Sequence, residues 1–179
     1  MTVYRRMWSG DMDIEENVLV ARLIKKGEKL VVDFSGYKVY DGRPGVWYII
    51  GFKKKIGKIL EVAQTGNLFT EINRDINYMI NGQMQTNLKK RYTARRLFSF
   101  NENFDVCECD KGRTQAKYRT IASNYDEIRI FVLSADNSDK AIREDIEMRF
   151  AIDNNVLYWN AFGRQRKKLN SIIVKIERR

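Results

Sequence analysis

The side chains that can carry chemistry in this chain are carboxylates, tyrosines, lysines and arginines, because the 179 residues include no histidine. Without histidine the chain cannot assemble a Ser-His or Cys-His nucleophile pair, a histidine general base or an HExxH zinc site. The two cysteines, Cys107 and Cys109, are too close in sequence to bridge easily, and no histidine is present to help complete a tetrahedral zinc site. We interpret them as reduced strand residues.

Basic and aromatic residues alternate between positions 83 and 124. A groove that follows a nucleic-acid backbone and stacks its bases requires this mixture. The segments RLFSF and FDVCEC predict the two strands of a hairpin insertion within this stretch. A solvated hairpin whose charges protect a sheet edge explains the same composition. The residues predicted to contact nucleic acid here are Lys89, Lys90, Arg91, Arg95 and Arg96.

The C-terminal segment is a second concentration of positive charge. Residues 161–179 contain seven lysines or arginines and one glutamate, and so supply +6 of the net charge of +10. This charge predicts an acidic partner, nucleic acid first, because clustered lysine and arginine neutralise phosphates and release counterions. A basic surface that only maintains solubility is the alternative. The predicted contacts in the tail are Arg164, Arg166, Lys167 and Lys168.

Length and hydropathy predict a single intracellular domain. A chain of 179 residues, 44% of them apolar, fits one domain that buries its own core. The sequence contains neither a run of about 18 apolar residues nor a signal-peptide pattern, which favours a cytoplasmic protein without a membrane partner. We expect an N-terminal β extension at 1–42, a core at 43–163 that carries the 83–124 insertion, and a basic segment at 164–179.

The stretch from Gly45 to Thr65 predicts the element around which the others are arranged. Two apolar runs, rich in β-branched and aromatic residues, flank a lysine-rich segment, which is typical of a β-hairpin with its loop at 51–55. Asn67 then predicts a helix N-cap, and apolar residues follow on one helical face. That face contains Leu68, Ile72, Ile76, Met79 and Ile80.

Further elements are predicted on either side of this hairpin and helix. Before them, two β-like runs are separated by a turn at Gly27 and Glu28. After the insertion, EIRIFVL at 127–133 predicts a buried strand, and residues 140–152 predict a helix that is covered on two sides. The expected fold class is therefore α+β, with a small mixed or antiparallel sheet flanked by helices in a β-β-α-β-α core.

The order of these elements, together with three short motifs, resembles the GIY-YIG nuclease superfamily. The motifs are GVWY at the start of the hairpin, Gln64-Thr65-x-Asn67-Leu68 at the start of the first helix, and a glutamate followed by WNAFG near the end. The last motif is most similar to the restriction-endonuclease branch of that superfamily. The resemblance extends over residues 45–163.

The resemblance implies a phosphodiester hydrolase that uses one Mg²⁺ ion. A hard cation held by a carboxylate and the substrate phosphate suits Mg²⁺. The resemblance makes Glu147 the metal ligand and places Asn160 in a supporting role. The catalytic residues that it implies are Tyr48, Lys58, Arg74 and Glu147.

Several motif residues of the superfamily are replaced in this chain. Trp47 occupies the tyrosine position of GIY, Glu61-Val62-Ala63 stands in place of YIG, and Glu71 occupies the position of the helix arginine. A site without these groups loses proton transfer and charge stabilisation. The replacements therefore keep open the hypothesis that the fold serves for binding alone.

Three hypotheses follow for the function. The first is a Mg²⁺-dependent DNA endonuclease of the restriction type, with DNA favoured over RNA and a homodimer favoured by a palindromic target. The second is a catalytically degenerate module that binds DNA or RNA. The third is a basic inhibitor or adaptor that docks on a nucleoprotein.

Overall fold

The computed structural model describes residues 17–81 and 113–159, together with residues 165, 167 and 168. The strands within these residues are β1 (Val18–Lys26), β2 (Lys29–Ser35), β3 (Gly45–Lys53), β4 (Ile56–Thr65) and β5 (Glu127–Ala135). The helices are α1 (Leu68–Ile80), α2 (Arg113–Asn124) and α3 (Lys140–Asp153). No helix in this part of the chain has both the length and the apolar character needed to cross a membrane.

The five strands form one antiparallel sheet in the order β2-β1-β5-β3-β4. β5 is the central strand although it is the last of these five in sequence, and it pairs with β1 on one side and with β3 on the other. The predicted α+β class, with an antiparallel sheet flanked by helices, is confirmed. The N-terminal strands extend the same sheet as the hairpin, and from β3 to α3 the element order is β-β-α-α-β-α.

The β3–β4 hairpin has longer strands and a shorter loop than the sequence predicted. Only Lys54 and Lys55 lie between the strands, so the predicted loop starting at Gly51 is wrong. Gly51 is part of β3, and its lack of a side chain allows neighbouring side chains to pack closely against the strand. A Cβ atom at this position would lie 2.5 to 2.7 Å from atoms of the Leu60 and Tyr125 side chains.

Helices cover both faces of the sheet, and alternate residues of β3 point towards them. Trp47 and Ile49 pack with α1 and α2 in the larger apolar cluster. Val46 and Tyr48 pack with α3 in the smaller one. Because successive side chains of a strand point to opposite faces, Trp47 and Tyr48 lie on different sides of the sheet.

α1 begins where the sequence predicts. The side chain of Asn67 accepts a hydrogen bond from the backbone N–H of Thr70 at 3.1 Å, which satisfies one of the free donors at the helix start. The buried face differs from the predicted one at two positions, because Ile80 is exposed and Asp75 is buried. The other four predicted positions, Leu68, Ile72, Ile76 and Met79, are buried.

α3 is one residue longer than predicted and is capped by Asp139, whose carboxylate accepts a hydrogen bond from the N–H of Ala141 at 2.7 Å. The prediction that this helix is covered on two sides is wrong, because Ile142 is exposed. Its single buried face combines charged and apolar side chains, namely Arg143, Glu147, Met148 and Ala151.

α2 occupies the C-terminal part of the segment that the sequence analysis assigned to a hairpin insertion. Tyr118 and Ile121 of this helix are buried in the larger apolar cluster, so α2 belongs to the core. The basic residues of this segment obscured the helical spacing of Tyr118, Ile121 and Ala122. The segments RLFSF and FDVCEC, and with them both cysteines, lie outside the described residues.

Candidate functional site

Tyr48, one of the predicted catalytic residues, belongs to an aromatic layer beneath α3. Its ring centroid lies 5.0 Å from that of Phe131 and 4.7 Å from that of Phe150. Burial raises the pKa of the Tyr48 hydroxyl. This shift disfavours the tyrosinate form that a general base needs. The position of Tyr48 is therefore that of a packed core aromatic.

Glu147, the predicted metal ligand, is buried at the inner side of α3 with 8% of its surface exposed. Its Oε1 accepts a hydrogen bond from Trp159 Nε1 at 2.8 Å, and its Oε2 accepts one from Gln165 Nε2 at 3.0 Å. Burial raises the pKa of Glu147 to about 7, although these two donors lower it. Glu147 is therefore not one of the solvated carboxylates that are usual on helix surfaces.

Lys58 and Arg74, the other predicted catalytic residues, lie in two further places. Lys58 is exposed in β4 near the hairpin loop, where it pairs with Gly51. Arg74 lies on α1 and forms ion pairs with Glu71 and Asp75. Since α1 and α3 pack on opposite faces of the sheet, Arg74 is separated from Glu147 by the sheet itself.

The four predicted catalytic side chains therefore do not converge. Only Tyr48 and Glu147 share a face, because Trp159, the hydrogen-bond donor to Glu147, packs in the same cluster as Tyr48. Of the predicted tail contacts, Lys167 is exposed and Lys168 forms an ion pair with Asp145 at 3.0 Å. The remaining predicted residues lie outside the described residues; they are Lys89, Lys90, Arg91, Arg95, Arg96, Asn160, Arg164 and Arg166.

The surroundings of Glu147 do not fit the Mg²⁺ ion that the resemblance implies. Both carboxylate oxygens already accept hydrogen bonds, from Trp159 and Gln165. A hard cation prefers several oxygen ligands. Within residues 17–81 and 113–159, no cluster of three or more potential metal-binding side chains is present.

A buried polar cluster that the sequence analysis missed lies between β4, α1 and α2. Tyr118 Oη donates a hydrogen bond to Asp75 Oδ2 at 2.8 Å, and Lys117 Nζ lies 2.5 Å from Glu61 Oε2. Burial raises the pKa of Glu61 to about 7 and that of Asp75 to about 6. Asp75 on the apolar face of α1, one residue before Ile76, was the available signal. The cluster connects three elements inside the core.

The two hairpin turns lie at the same end of the sheet. β1 and β3 run in the same direction, because each is antiparallel to β5 between them. Ile24 and Phe52 both pair with Glu127, which places the turns side by side, about 10 Å apart for two strand spacings. The turns contribute seven lysines, here called the basic end of the sheet: Lys25, Lys26, Lys29, Lys53, Lys54, Lys55 and Lys58.

Asp126 connects the two turns of the basic end. Its carbonyl oxygen accepts a hydrogen bond from the N–H of Lys25, and its own N–H donates to the carbonyl oxygen of Phe52, both at 2.8 Å. Its side-chain Oδ2 also accepts a hydrogen bond from the N–H of Lys54 at 3.3 Å. These contacts to one residue add to the pairing of β1 and β3 with β5, which holds the two turns side by side.

The β3–β4 loop holds both of its lysines in the left-handed region. Lys54 has a φ of 50° and Lys55 a φ of 67°. Two successive residues of positive φ are the requirement of a type I′ turn, for which Asn-Gly is the preferred pair. Lysine at these positions costs free energy that Asn-Gly would avoid. The chain thus places charge where the turn geometry favours small residues.

The charge of the basic end is nearly unopposed within the turns themselves. Residues 25–29 and 53–58 contain seven lysines and one acidic residue, Glu28. Six of the lysines are exposed, and the half-buried Lys25 donates a hydrogen bond to the carbonyl oxygen of Ser123 at 3.3 Å. The run KKKIGK was visible in the sequence, but the second turn is brought beside it only by the pairing of both hairpins with β5.

Comparison of the chain with family models, with curated proteins and with solved structures found no match to any of them.

Proposed function

We propose that this protein binds nucleic acid through the basic end of the sheet. The observation that carries the proposal is the meeting of two lysine-rich turns at one end, with seven lysines against the two carboxylates of Glu28 and Asp126. Lysines clustered in this way attract a polyanion, because each phosphate that they neutralise releases condensed counterions. The net charge of +10 acts in the same direction over a longer range.

The form of the site favours contact with the phosphate backbone. Lysine ammonium groups on flexible stems act as point charges, whereas the reading of base edges in grooves uses planar or bidentate groups. Phosphate contacts position a protein on nucleic acid without specifying a sequence. We therefore expect the basic end to contribute affinity that is common to many sequences and strongly dependent on salt.

A double substitution tests this function without damaging the fold. Lys54→Asn with Lys55→Gly removes two charges and installs the residue pair that a type I′ turn prefers. Titration of a fluorescent duplex at salt concentrations between about 50 and 200 mM gives the slope of log K against log[salt]. We expect the variant to bind more weakly and its slope to be shallower by about 2, one for each lost phosphate contact.

The matched control removes two charges from the opposite end of the sheet. Lys38→Gln with Lys140→Gln fulfils this condition, since Lys38 follows the end of β2 and Lys140 begins α3 after the end of β5. The control is expected to reduce affinity only slightly, because it lowers the net charge of the protein but leaves the basic end intact. Equal loss in both double variants would reduce the proposal to a general charge effect, and wild-type binding that is insensitive to salt would contradict it.

A Mg²⁺-dependent DNA endonuclease is the second candidate function. Two observations favour it: the β-β-α and β-α parts of the expected order are present, with α2 between them, and Glu147 shares a sheet face with Tyr48. The separation of Lys58 and Arg74 from Glu147 weighs against it. Incubation of supercoiled and linear DNA with Mg²⁺ tests it. Cleavage that is lost in Glu147→Ala but retained in the control Glu144→Ala would establish nuclease activity. Binding without cleavage by the wild type is the outcome that the first candidate predicts.

An adaptor that docks on a nucleoprotein would use the same positive charge to bind a protein partner. It would form a stable complex with a protein after nuclease treatment has removed all nucleic acid. Loss of such a complex in Lys54→Asn with Lys55→Gly would assign the basic end to protein docking and count against the proposed function.

A further inference from the structure

We infer that the nucleic acid bound by this protein is single-stranded, with its bases stacked on the sheet face next to the basic end. This inference rests on the proposed function and adds the class of ligand to it. It is carried by an aromatic and arginine surface on β1, β2, β3 and β5, which the sequence analysis did not identify.

The surface begins with a row of opposed residues across three strands. Phe34 of β2 pairs with Arg22 of β1, and Arg22 pairs with Arg129 of β5. Directly opposed residues of an antiparallel pair point to the same face of a sheet. One phenyl ring and two guanidinium groups therefore lie next to one another on one face.

This row lies on the side of the sheet that α3 covers only in part. Arg129 also pairs with Ile50, which packs against the α3 cluster and so identifies the face. α3 packs over β3 and β4, and the row continues beyond them onto β5, β1 and β2. Phe34 is accordingly 45% exposed, and the side chains of Arg22 and Arg129 are 39% and 38% exposed.

One carboxylate orients both guanidinium groups. Glu127 Oε1 accepts a hydrogen bond from Arg22 Nε at 2.8 Å and one from Arg129 Nε at 2.6 Å. The Arg129 guanidinium lies 4.5 Å from the centre of the Phe52 ring. Arg22 also donates through Nη1 to Asp33 Oδ2 at 3.1 Å. Because the N–H donors of a guanidinium lie in its plane, these bonds leave one face of each group available for a stacked base.

The next row of the same face leads directly into the basic end. Ile24 and Phe52 pair with Glu127 there, and Lys25 and Lys53 follow them in the chain. The first lysine of β1 on the same face as Arg22 is Lys26, four residues and about 13 Å farther along the strand, so stacking groups and phosphate-binding groups are separated by roughly the length of two nucleotides. Alternation of rings or guanidinium planes with lysines is the arrangement that single-stranded nucleic acid requires.

A duplex cannot use this surface in the same way. Its base faces are stacked on one another inside the double helix, so only base edges and phosphates reach a protein. Exposed rings and guanidinium planes on a sheet can stack on base faces, and only unpaired bases leave their faces free. The exposed ring of Phe34 therefore favours single strands, whereas the lysines alone do not discriminate.

Fluorescence anisotropy with two probes tests the inference: oligo(dT) of about 16 nucleotides, and the same strand annealed to oligo(dA). We expect wild-type protein to bind the single strand more tightly. Phe34→Ser should weaken oligo(dT) binding about tenfold, the lower part of the range for losing one stacked base, and leave duplex affinity and the salt slope unchanged. Phe34→Tyr, which keeps the ring, should bind as the wild type does.

The control is Val39→Ser, which removes an apolar side chain that is 71% exposed beyond the other end of β2. Tighter binding of the duplex, or a Phe34→Ser variant that binds oligo(dT) as Val39→Ser does, would overturn the inference. In that case salt-dependent binding that weakens in Lys54→Asn with Lys55→Gly would still support the proposed function. Failure of the wild type to bind either probe would instead reject the proposed function itself.

Discussion

The carboxylate of Asp126 accepts a hydrogen bond from the backbone N–H of Lys54, a residue 72 positions earlier in the chain. Asp126 also bonds through its backbone to Lys25 and Phe52. It is therefore the residue at which the two lysine-rich turns are held in register, and it precedes the central strand of the sheet.

Substitution of Asp126 should separate its positioning effect from its charge. Asp126→Ala removes the acceptor for Lys54 N–H, and we expect the free energy of unfolding to fall by about 1 kcal/mol. Asp126→Asn keeps an acceptor and removes a negative charge beside the lysines, so it should be nearly as stable as the wild type and bind DNA more tightly at low salt. Urea unfolding and anisotropy titration measure both quantities. Weaker DNA binding by Asp126→Asn would contradict this account.

The double variant Lys54→Asn with Lys55→Gly should be more stable than the wild type by about 1 kcal/mol, because it removes two lysines from the left-handed region. Urea or thermal unfolding checks the change. The reverse order, Lys54→Gly with Lys55→Asn, carries the same composition and serves as a control for charge. A double variant less stable than the wild type would show that the lysine side chains stabilise the turn.

Stability should decrease as pH rises from about 5 to 8. Burial raises the pKa of Glu147 from 4.5 to about 7, so the folded state binds more protons than the unfolded state between these values. The unfolding free energy therefore falls with rising pH across this window and levels off above it. At 1.36 kcal/mol per pKa unit, Glu147 alone should lower the free energy of unfolding by roughly 3 kcal/mol across this window. The pKa values of Glu61 and Asp75 are raised as well, so these residues contribute in the same direction.

Glu147→Gln provides the measurement for this dependence. The amide retains an acceptor for Trp159 Nε1 but does not titrate, so chemical unfolding at pH 5 and pH 8 should show a smaller difference in the variant than in the wild type. Glu144→Gln is the control on the same helix. An unchanged pH dependence in Glu147→Gln would show that Glu147 remains ionised in the folded protein throughout this range.

Loss of the hydrogen bond from Tyr118 to Asp75 should lower the free energy of unfolding by about 2 kcal/mol at pH 8, because it leaves a buried acceptor with fewer donors. Tyr118→Phe removes only the hydroxyl. Because that bond lowers the pKa of Asp75, the variant should raise this pKa further and be less destabilised at pH 5, where the carboxyl is protonated. Tyr78→Phe on α1 is the control, and equal losses at both pH values would contradict the coupling.

The sequence predicted the parts of the fold that depend on local pattern. The β3–β4 hairpin, the Asn67 cap and the helix after it follow from residue preference and spacing within a short window. α2 was missed because its buried residues are few and its polar residues resemble those of the stretch before it. The place of β5 between β1 and β3 depends on long-range pairing, which no local pattern contains.

The candidate site was harder to predict from the sequence than the fold was, for the same reason. Lys58 was identified, but as a catalytic residue, whereas its exposed position beside the loop suits a phosphate contact. Arg22 and Arg129 are adjacent only because β1 pairs with β5. The burial of Glu147 depends on Trp159 and Gln165, which follow the helix and return to it. Residue type predicts charge, whereas tertiary pairing determines which charges meet.

The central position of β5 also constrains the order in which the protein can fold. Both hairpins form from neighbouring residues, but Arg22 must find Glu127, which is 105 residues away, before the sheet can close. Contacts of such long range slow folding, because loop closure precedes their stabilising effect. A nascent chain that ends before Glu127 would carry two separate hairpins with open edges, and only the emergence of the last strand would unite them.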